Sequence, residues 1–288
     1  MCWRRRTYGE QVVRPTRVVL DVDTGIDDAL ALLYAVASPT LDLCGVTTVA
    51  GNVPVEVAAR NSAAVLALAG AAGVPVAVGA SRTTAGEGPR TAPSDHGPDG
   101  LGGVAVPPGA APAADVESLV RDVRAAGPFT LVGLAPMTNL PGLAPSAAGV
   151  VLVGGTLAVE DPPEVNAGHD PEATARTLAS GRPTTLYVRD VFEQVSVLPG
   201  DVERLGSSDR AAARLAGELL AARRSHLVGD AGALVLLTCP ELFGVEARRI
   251  GPAGGHLVQT PGGQLVDVVV DVDAGSVART FVEVLLAT

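Results

Sequence analysis

Four carboxylates fall within eight residues in Val18-Val-Leu-Asp21-Val-Asp23-Thr-Gly-Ile-Asp27-Asp28-Ala-Leu-Ala-Leu-Leu, between two hydrophobic runs. Two carboxylates about 4 Å apart repel by roughly 4 kcal/mol at an effective dielectric near 20, so a group of them needs a cation or bound protons. The pattern therefore points to a metal or acid–base site. A plainer alternative is that Thr24 and Asp27 form a capping box, with Asp27 and Asp28 complementing a helix dipole, an effect of about 1 kcal/mol. Capping leaves Asp21 and Asp23 unexplained, because acidic residues are depleted in strands and a buried one needs a partner.

The elements that must position these residues can be read from the letters. Residues 17–23 form a short strand whose two-residue period puts Asp21 and Asp23 on the same side of its C-terminal end. Thr24-Gly25 supplies a turn. From Asp27 the apolar Ala29, Leu30, Leu32, Leu33 and Val36 specify a mostly buried helix that stops near Ser38-Pro39. Strand-like runs recur at 43–49, 76–78, 129–132, 150–153 and 185–188, with Ala- and Leu-rich helical stretches such as 55–69 and 116–125 between them. This alternation predicts an α/β fold, an open, mostly parallel sheet with helices on both faces, which binds ligands at the carboxyl ends of its strands. Residues 1–15 read as a disordered extension and 16–288 as a single domain. Within it, 81–112 is dense in Gly and Pro and reads as a long loop, either a lid over the site or a disordered segment, 199–224 as arginine-rich helix with a solvated face, and 246–273 as hairpin or edge strands.

Composition narrows the partners. The chain has 288 residues, of which 47% are hydrophobic, and 21 basic against 31 acidic side chains give a net charge of −10. That balance disfavours nucleic acid and anionic membrane and suits small neutral or metal-bridged ligands. Every basic side chain is arginine; the absence of lysine excludes Schiff-base chemistry and a Walker-type phosphate loop. Cys2, Cys44 and Cys239 are widely spaced, which fits a reduced, cytoplasmic protein. Arg4-Arg5-Arg6 is followed by polar residues, so neither a secretory nor a twin-arginine signal is complete, and no apolar stretch is long enough to span a bilayer.

Further polar clusters follow the other strands. Gly51 permits a turn and Asn52 can donate and accept hydrogen bonds beside it. In Leu134-Ala-Pro-Met-Thr138-Asn139 backbone carbonyls could face a metal, although Thr138 or Asn139 would serve equally as a helix cap. Glu164 and Asn166 share one face of an extended segment, an arrangement suited to gripping vicinal sugar hydroxyls. Asp170-Pro171 reads as a helix start, and Asp230 as an acid opening another apolar helix, with capping the simpler role.

Taken together, the residues resemble the inosine-uridine preferring nucleoside hydrolase family, through Asp21-x-Asp23-x-Gly25-x-Asp27-Asp28, Thr48-Val49-x-Gly51-Asn52, Pro136-x-Thr138-Asn139, Gly154-Gly155, Glu164-x-Asn166 with Asp170-Pro171-Glu172, and Asp230. The resemblance covers roughly residues 17–245. It implies a Ca2+ ion at the carboxyl end of the sheet, held by Asp23, Asp28, the Leu134 carbonyl and Asp230, with Asp21 close by. It also implies that Asp27, Asn52, Glu164 and Asn166 hold the ribose, and that Asp23 takes a proton from a metal-bound water. The activity implied is hydrolysis of the N-glycosidic bond of a ribonucleoside or related N-riboside, in a protein of a kind that is commonly homo-oligomeric.

Two departures from the family pattern stand out. Gly229 occupies the place of a histidine that many members use to protonate the departing base, and Ala158 stands near the place of a ribose-contacting asparagine. His226, His96 and His169 are the possible substitutes. These departures motivate a second expectation, a Ca2+ and nucleoside binding protein without turnover. A third is a phosphatase of the haloacid dehalogenase type, suggested by Asp21-Val-Asp23-Thr and disfavoured by the absence of lysine.

Overall fold

The strand-like runs join one sheet in the order β3-β2-β1-β4-β5-β6-β9-β7-β8. A computed structural model describes residues 14–92, 94–112, 114–158, 162–253 and 255–287. Its strands are β1 (Thr16–Val22), β2 (Leu41–Thr48), β3 (Val76–Val78), β4 (Thr130–Gly133), β5 (Gly149–Val153), β6 (Thr184–Tyr187), β7 (Phe243–Ala253), β8 (His256–Gln259) and β9 (Gln264–Val272). Its helices are α1 (Ile26–Ala37), α2 (Val55–Leu68), α3 (Val116–Ala126), α4 (Leu140–Leu143), α5 (Val165–His169), α6 (Pro171–Leu178), α7 (Arg189–Phe192), α8 (Pro199–Gly206), α9 (Ala211–Ala222), α10 (Ala231–Thr238) and α11 (Ala274–Ala287).

From β3 to β9 every neighbouring pair is parallel, and β7 runs antiparallel to both of its neighbours, β9 and β8. The expected mostly parallel α/β sheet is therefore present. Parallel strands covered by helices are apolar on both faces; accordingly Val18, Val19, Leu20, Leu131, Val132 and Leu152 of the central strands are buried, and Leu30, Leu32 and Leu33 of α1 pack in the same core. Register sets the site. Asp21 lies opposite both Thr47 of β2 and Gly133 of β4, so the residues just after these strands meet at one edge.

Several expectations need adjustment. The helix after the acidic corner starts at Ile26 and not at Asp27. The arginine-rich stretch is two helices, α8 and α9; β7 and β8 form the expected hairpin with β8 at the edge, while β9 lies inside the sheet between β6 and β7. Residues 81–112 contain no helix or strand among their described residues, as expected of a loop. Most of the expected extension, residues 1–13 with Cys2 and Arg4 to Arg6, lies outside the described residues. Cys44 is a free thiol, but Cys239 is disulfide-bonded, against the expectation of three reduced cysteines. No helix among the described residues is long and apolar enough to cross a membrane.

Candidate active site

Asp21 and Asp23 are both buried at the end of β1. Asp21 Oδ1 accepts from Thr47 Oγ1 at 2.5 Å and from Asn139 Nδ2 at 2.8 Å, while its Oδ2 has no partner. Burial pushes the Asp21 carboxyl up to about 7, against the two hydrogen bonds and with help from the charge on Asp23. Asn139 also donates to the Thr48 carbonyl and accepts from Ala80, and Thr138 donates to Asp170 Oδ2 at 2.8 Å. These two residues therefore brace strand ends, and neither caps a helix with its side chain.

Asp23 is gripped by the turn after β2. Its Oδ2 accepts from the Asn52 backbone at 2.6 Å and its Oδ1 from Asn52 Nδ2 at 3.1 Å. The contact requires glycine next door, since a Cβ at Gly51 would lie 1.9 Å from Asp23 Oδ2. The start of α1 is closed by Asp28, which accepts from Gly25 N at 2.9 Å and from Asp23 N at 3.3 Å. Thr24 shares a hydrogen bond with Ser62 instead. The capping role expected of Thr24 and Asp27 thus falls to Asp28, because the N-cap is Gly25, one residue later than Thr24.

Asp230 immediately precedes α10 and makes no capping hydrogen bond. Capping is not its role; its carboxylate faces those of Asp27 and Asp28, and one oxygen from each lies within 4.8 Å of the others. Burial, followed by the charges of Asp23, Asp230 and Asp27, pushes Asp28 well above the carboxylate range. Burial and then Asp27 do the same to Asp230. Asp27 differs: burial raises it, but the Arg223 guanidinium at 2.9 Å prevails and brings it down to about 2. Buried oxygens with mutual repulsion and too few donors suit a hard cation such as Ca2+, so this donor set fits one.

The Leu134 carbonyl, just past β4, accepts from Asn166 Nδ2 at 2.9 Å. Glu164 and Asn166 do not share an extended segment. Glu164 caps α5, with its carboxylate accepting from the backbone of Asn166, Ala167 and Gly155 at 2.7–3.0 Å. The first-turn N–H groups need acceptors, and this side chain reaches them. Burial raises the Glu164 carboxyl, opposed by these same N–H groups. Asp170 does start a helix, accepting from Ala173 of α6 and, across the fold, from Thr84 and Thr138.

Two site residues escaped the sequence reading. Arg90, in the long loop, contacts Asp23, Asn52 and Asn166 together. Arg223, just after α9, pairs with Asp27 and is only 12% exposed. Their one signal was arginine without lysine in an acidic chain. Among the histidines, His96 Nδ1 accepts from Ile26 N at 3.0 Å beside Asp27, His169 Nε2 lies 3.0 Å from the Gly88 carbonyl, and His226 sits in the turn after α9 with a φ of 49°. Gly229 has a φ of +57°, and a Cβ there would meet Asp27 Cβ at 2.9 Å and Arg223 Nη1 at 3.2 Å.

The family model for inosine-uridine preferring nucleoside hydrolases matches residues 18–281. Uridine nucleosidase 1 of Arabidopsis thaliana is 31% identical over 83% of the chain and 76% of its own length. The pyrimidine-specific ribonucleoside hydrolase RihA of Shewanella baltica is 35% identical over 70% of the chain and 68% of its own. Among solved structures, a plant nucleoside hydrolase superposes with a TM-score of 0.86 at 25% identity, over 95% of the chain and all of its own. A purine-preferring ribonucleoside hydrolase from Gardnerella vaginalis gives the same score and identity over 94% and 98%.

Proposed function

Since the chain belongs to the inosine-uridine preferring nucleoside hydrolase family and is an N-ribosyl hydrolase, we propose that it is Ca2+-dependent and releases the base from ribonucleosides, with uridine the first candidate substrate. The observation that carries the reading is the cluster of Asp27, Asp28 and Asp230, joined through the Asp23 N–H, which donates to Asp28, to the aspartate that Asn52 holds. Uridine is put first because of the relatives named for uridine and pyrimidine nucleosides.

Asp23, Asp28, Asp230 and the Leu134 carbonyl are the proposed ligands of the ion. When bound, Ca2+ supplies Lewis acidity that makes water a better nucleophile. Asp23 takes the water's proton, and the oxygen attacks the anomeric carbon as the N-glycosidic bond breaks. Asp27, Asn52, Glu164 and Asn166 hold the ribose hydroxyls, and the surrounding carboxylates stabilise positive charge on the ribosyl group. The departing base takes up the electron pair of the broken bond and needs a proton or a strong hydrogen bond. His96 stands nearest in role: its Nδ1 accepts from Ile26 N, which leaves Nε2 as the ring nitrogen able to donate.

The test is chromatographic detection of free base from a panel of purine, pyrimidine and modified ribonucleosides, with Ca2+ and with chelator. Base release that needs Ca2+ and is lost in Asp23→Asn is expected. Binding of nucleoside with no release from any member would instead mark a binding protein. Family membership sets the phosphatase reading aside.

A further inference from the structure

Arg90 lies where a substrate's sugar is expected, and its surroundings show why it fits there. Its backbone N–H donates to the Gly51 carbonyl at 2.8 Å, which anchors the loop beside the acidic corner. From that anchor the side chain, 19% exposed, turns inward. Nη1 donates to Asn166 Oδ1 at 3.2 Å and to the Val165 carbonyl at 3.4 Å, while Nη2 donates to Asn52 Oδ1 and lies 3.4 Å from Asp23 Oδ2. One guanidinium thus joins the end of β1, the turn after β2 and the first turn of α5.

Both asparagine amides are fixed by their other ends. Asn52 Nδ2 donates to Asp23 and Asn166 Nδ2 to the Leu134 carbonyl, so both amide oxygens face inward as acceptors. Two convergent acceptors suit a ligand with two adjacent donors. A vicinal diol has two O–H groups, and the terminal nitrogens of a guanidinium present the same pattern in a rigid plane. The guanidinium also places a full positive charge against Asp23, a proposed ligand of the cation. A sugar would therefore compete with Arg90 for the amide oxygens of Asn52 and Asn166, and a cation for the carboxylate of Asp23.

We propose that Arg90 is an internal occupant of this site, filling the diol grip and neutralising Asp23 in the free protein, and that it leaves when cation and sugar bind. The inference rests on the reading of the grip as a ribose site, while its electrostatic half concerns the cation alone. An occupant of this kind lowers apparent affinity by the fraction of molecules in which the site is open.

The experiment is isothermal titration of wild type, Arg90→Ala and Arg90→Lys, first with CaCl2 and then with D-ribose at saturating Ca2+. In R90A both ligands are expected to bind about tenfold more tightly. R90K keeps the charge and loses the paired donors, so ribose should tighten while Ca2+ changes little; it also serves if R90A fails to fold. Unchanged Ca2+ and ribose affinities in R90A would overturn the proposal. Weaker ribose binding in R90A overturns it too, making Arg90 a sugar ligand. If ribose binds none of the three proteins, the ribose reading fails, and the Ca2+ titration decides alone: tighter binding in R90A supports occupancy, equal binding overturns it.

Discussion

Two corners of the molecule bury carboxylates in opposite ways. At the β5–α5–α6 corner, Glu164 and Asp170 are surrounded by N–H and O–H donors from Gly155, Asn166, Ala167, Ala173, Thr84 and Thr138. At the β1–α1–α10 corner, Asp28 and Asp230 face other carboxylates, and Asp21 keeps one oxygen without a partner. Burial costs both groups alike. Only at the first corner is the cost offset by the fold, so the second is the place that a cation would complete.

This contrast can be broken by substitution, and the largest effect is expected at the second corner. Asp230→Asn should lower base release about a thousandfold or more, equivalent to about 4 kcal/mol of transition-state stabilisation, while its Ca2+-free thermal midpoint stays level or rises. Parallel turnover and calorimetry measurements would show it; a Ca2+-free midpoint that drops by many degrees would mean that Asp230 is structural.

The pH dependence of the Ca2+-free protein comes next. The carboxyl of Asp21 sits at about 7 in the fold, above its value of about 4 in an unfolded chain. Its contribution to stability is fully present below about pH 4 and is lost as pH rises through 7, a span of about 4 kcal/mol before neighbouring groups are included. Denaturant titrations between pH 4 and 8 should show this decline, with added Ca2+ restoring most stability at the upper end. A Ca2+-free protein that gains stability across the same range contradicts the assignment.

Smaller effects are expected at the satisfied corner. Glu164→Ala strands three buried N–H groups and should cost about 2–3 kcal/mol with or without Ca2+, visible as a lower thermal midpoint, whereas Glu164→Gln keeps an acceptor and should cost less. His169→Ala, which removes a ring whose Nε2 lies 3.0 Å from the Gly88 carbonyl, should change turnover less than twofold; a large loss would move leaving-group chemistry away from His96.

The acidic corner was legible because Asp21, Asp23, Asp27 and Asp28 lie close in sequence, at a change from strand to helix period. The parallel sheet was legible for the same reason, as each strand is a short apolar run. Glu164 was misread as extended because Pro162 and Pro163 hide the helix that its own side chain caps. Arg90 and Arg223 were not legible at all. Each lies outside periodic structure, and each meets its partner only through long-range folding, Arg223 reaching Asp27 from the far side of five strands of sequence.

The acidic cluster also has a bearing on synthesis. Asp27 and Asp28 leave the ribosome about two hundred residues before Asp230. A nascent chain that has emerged only through β6 carries Asn52, Glu164 and Asn166 but lacks the third carboxylate. The cluster of three carboxylates therefore forms only after α10 emerges, which makes its completion a report that synthesis has passed Asp230.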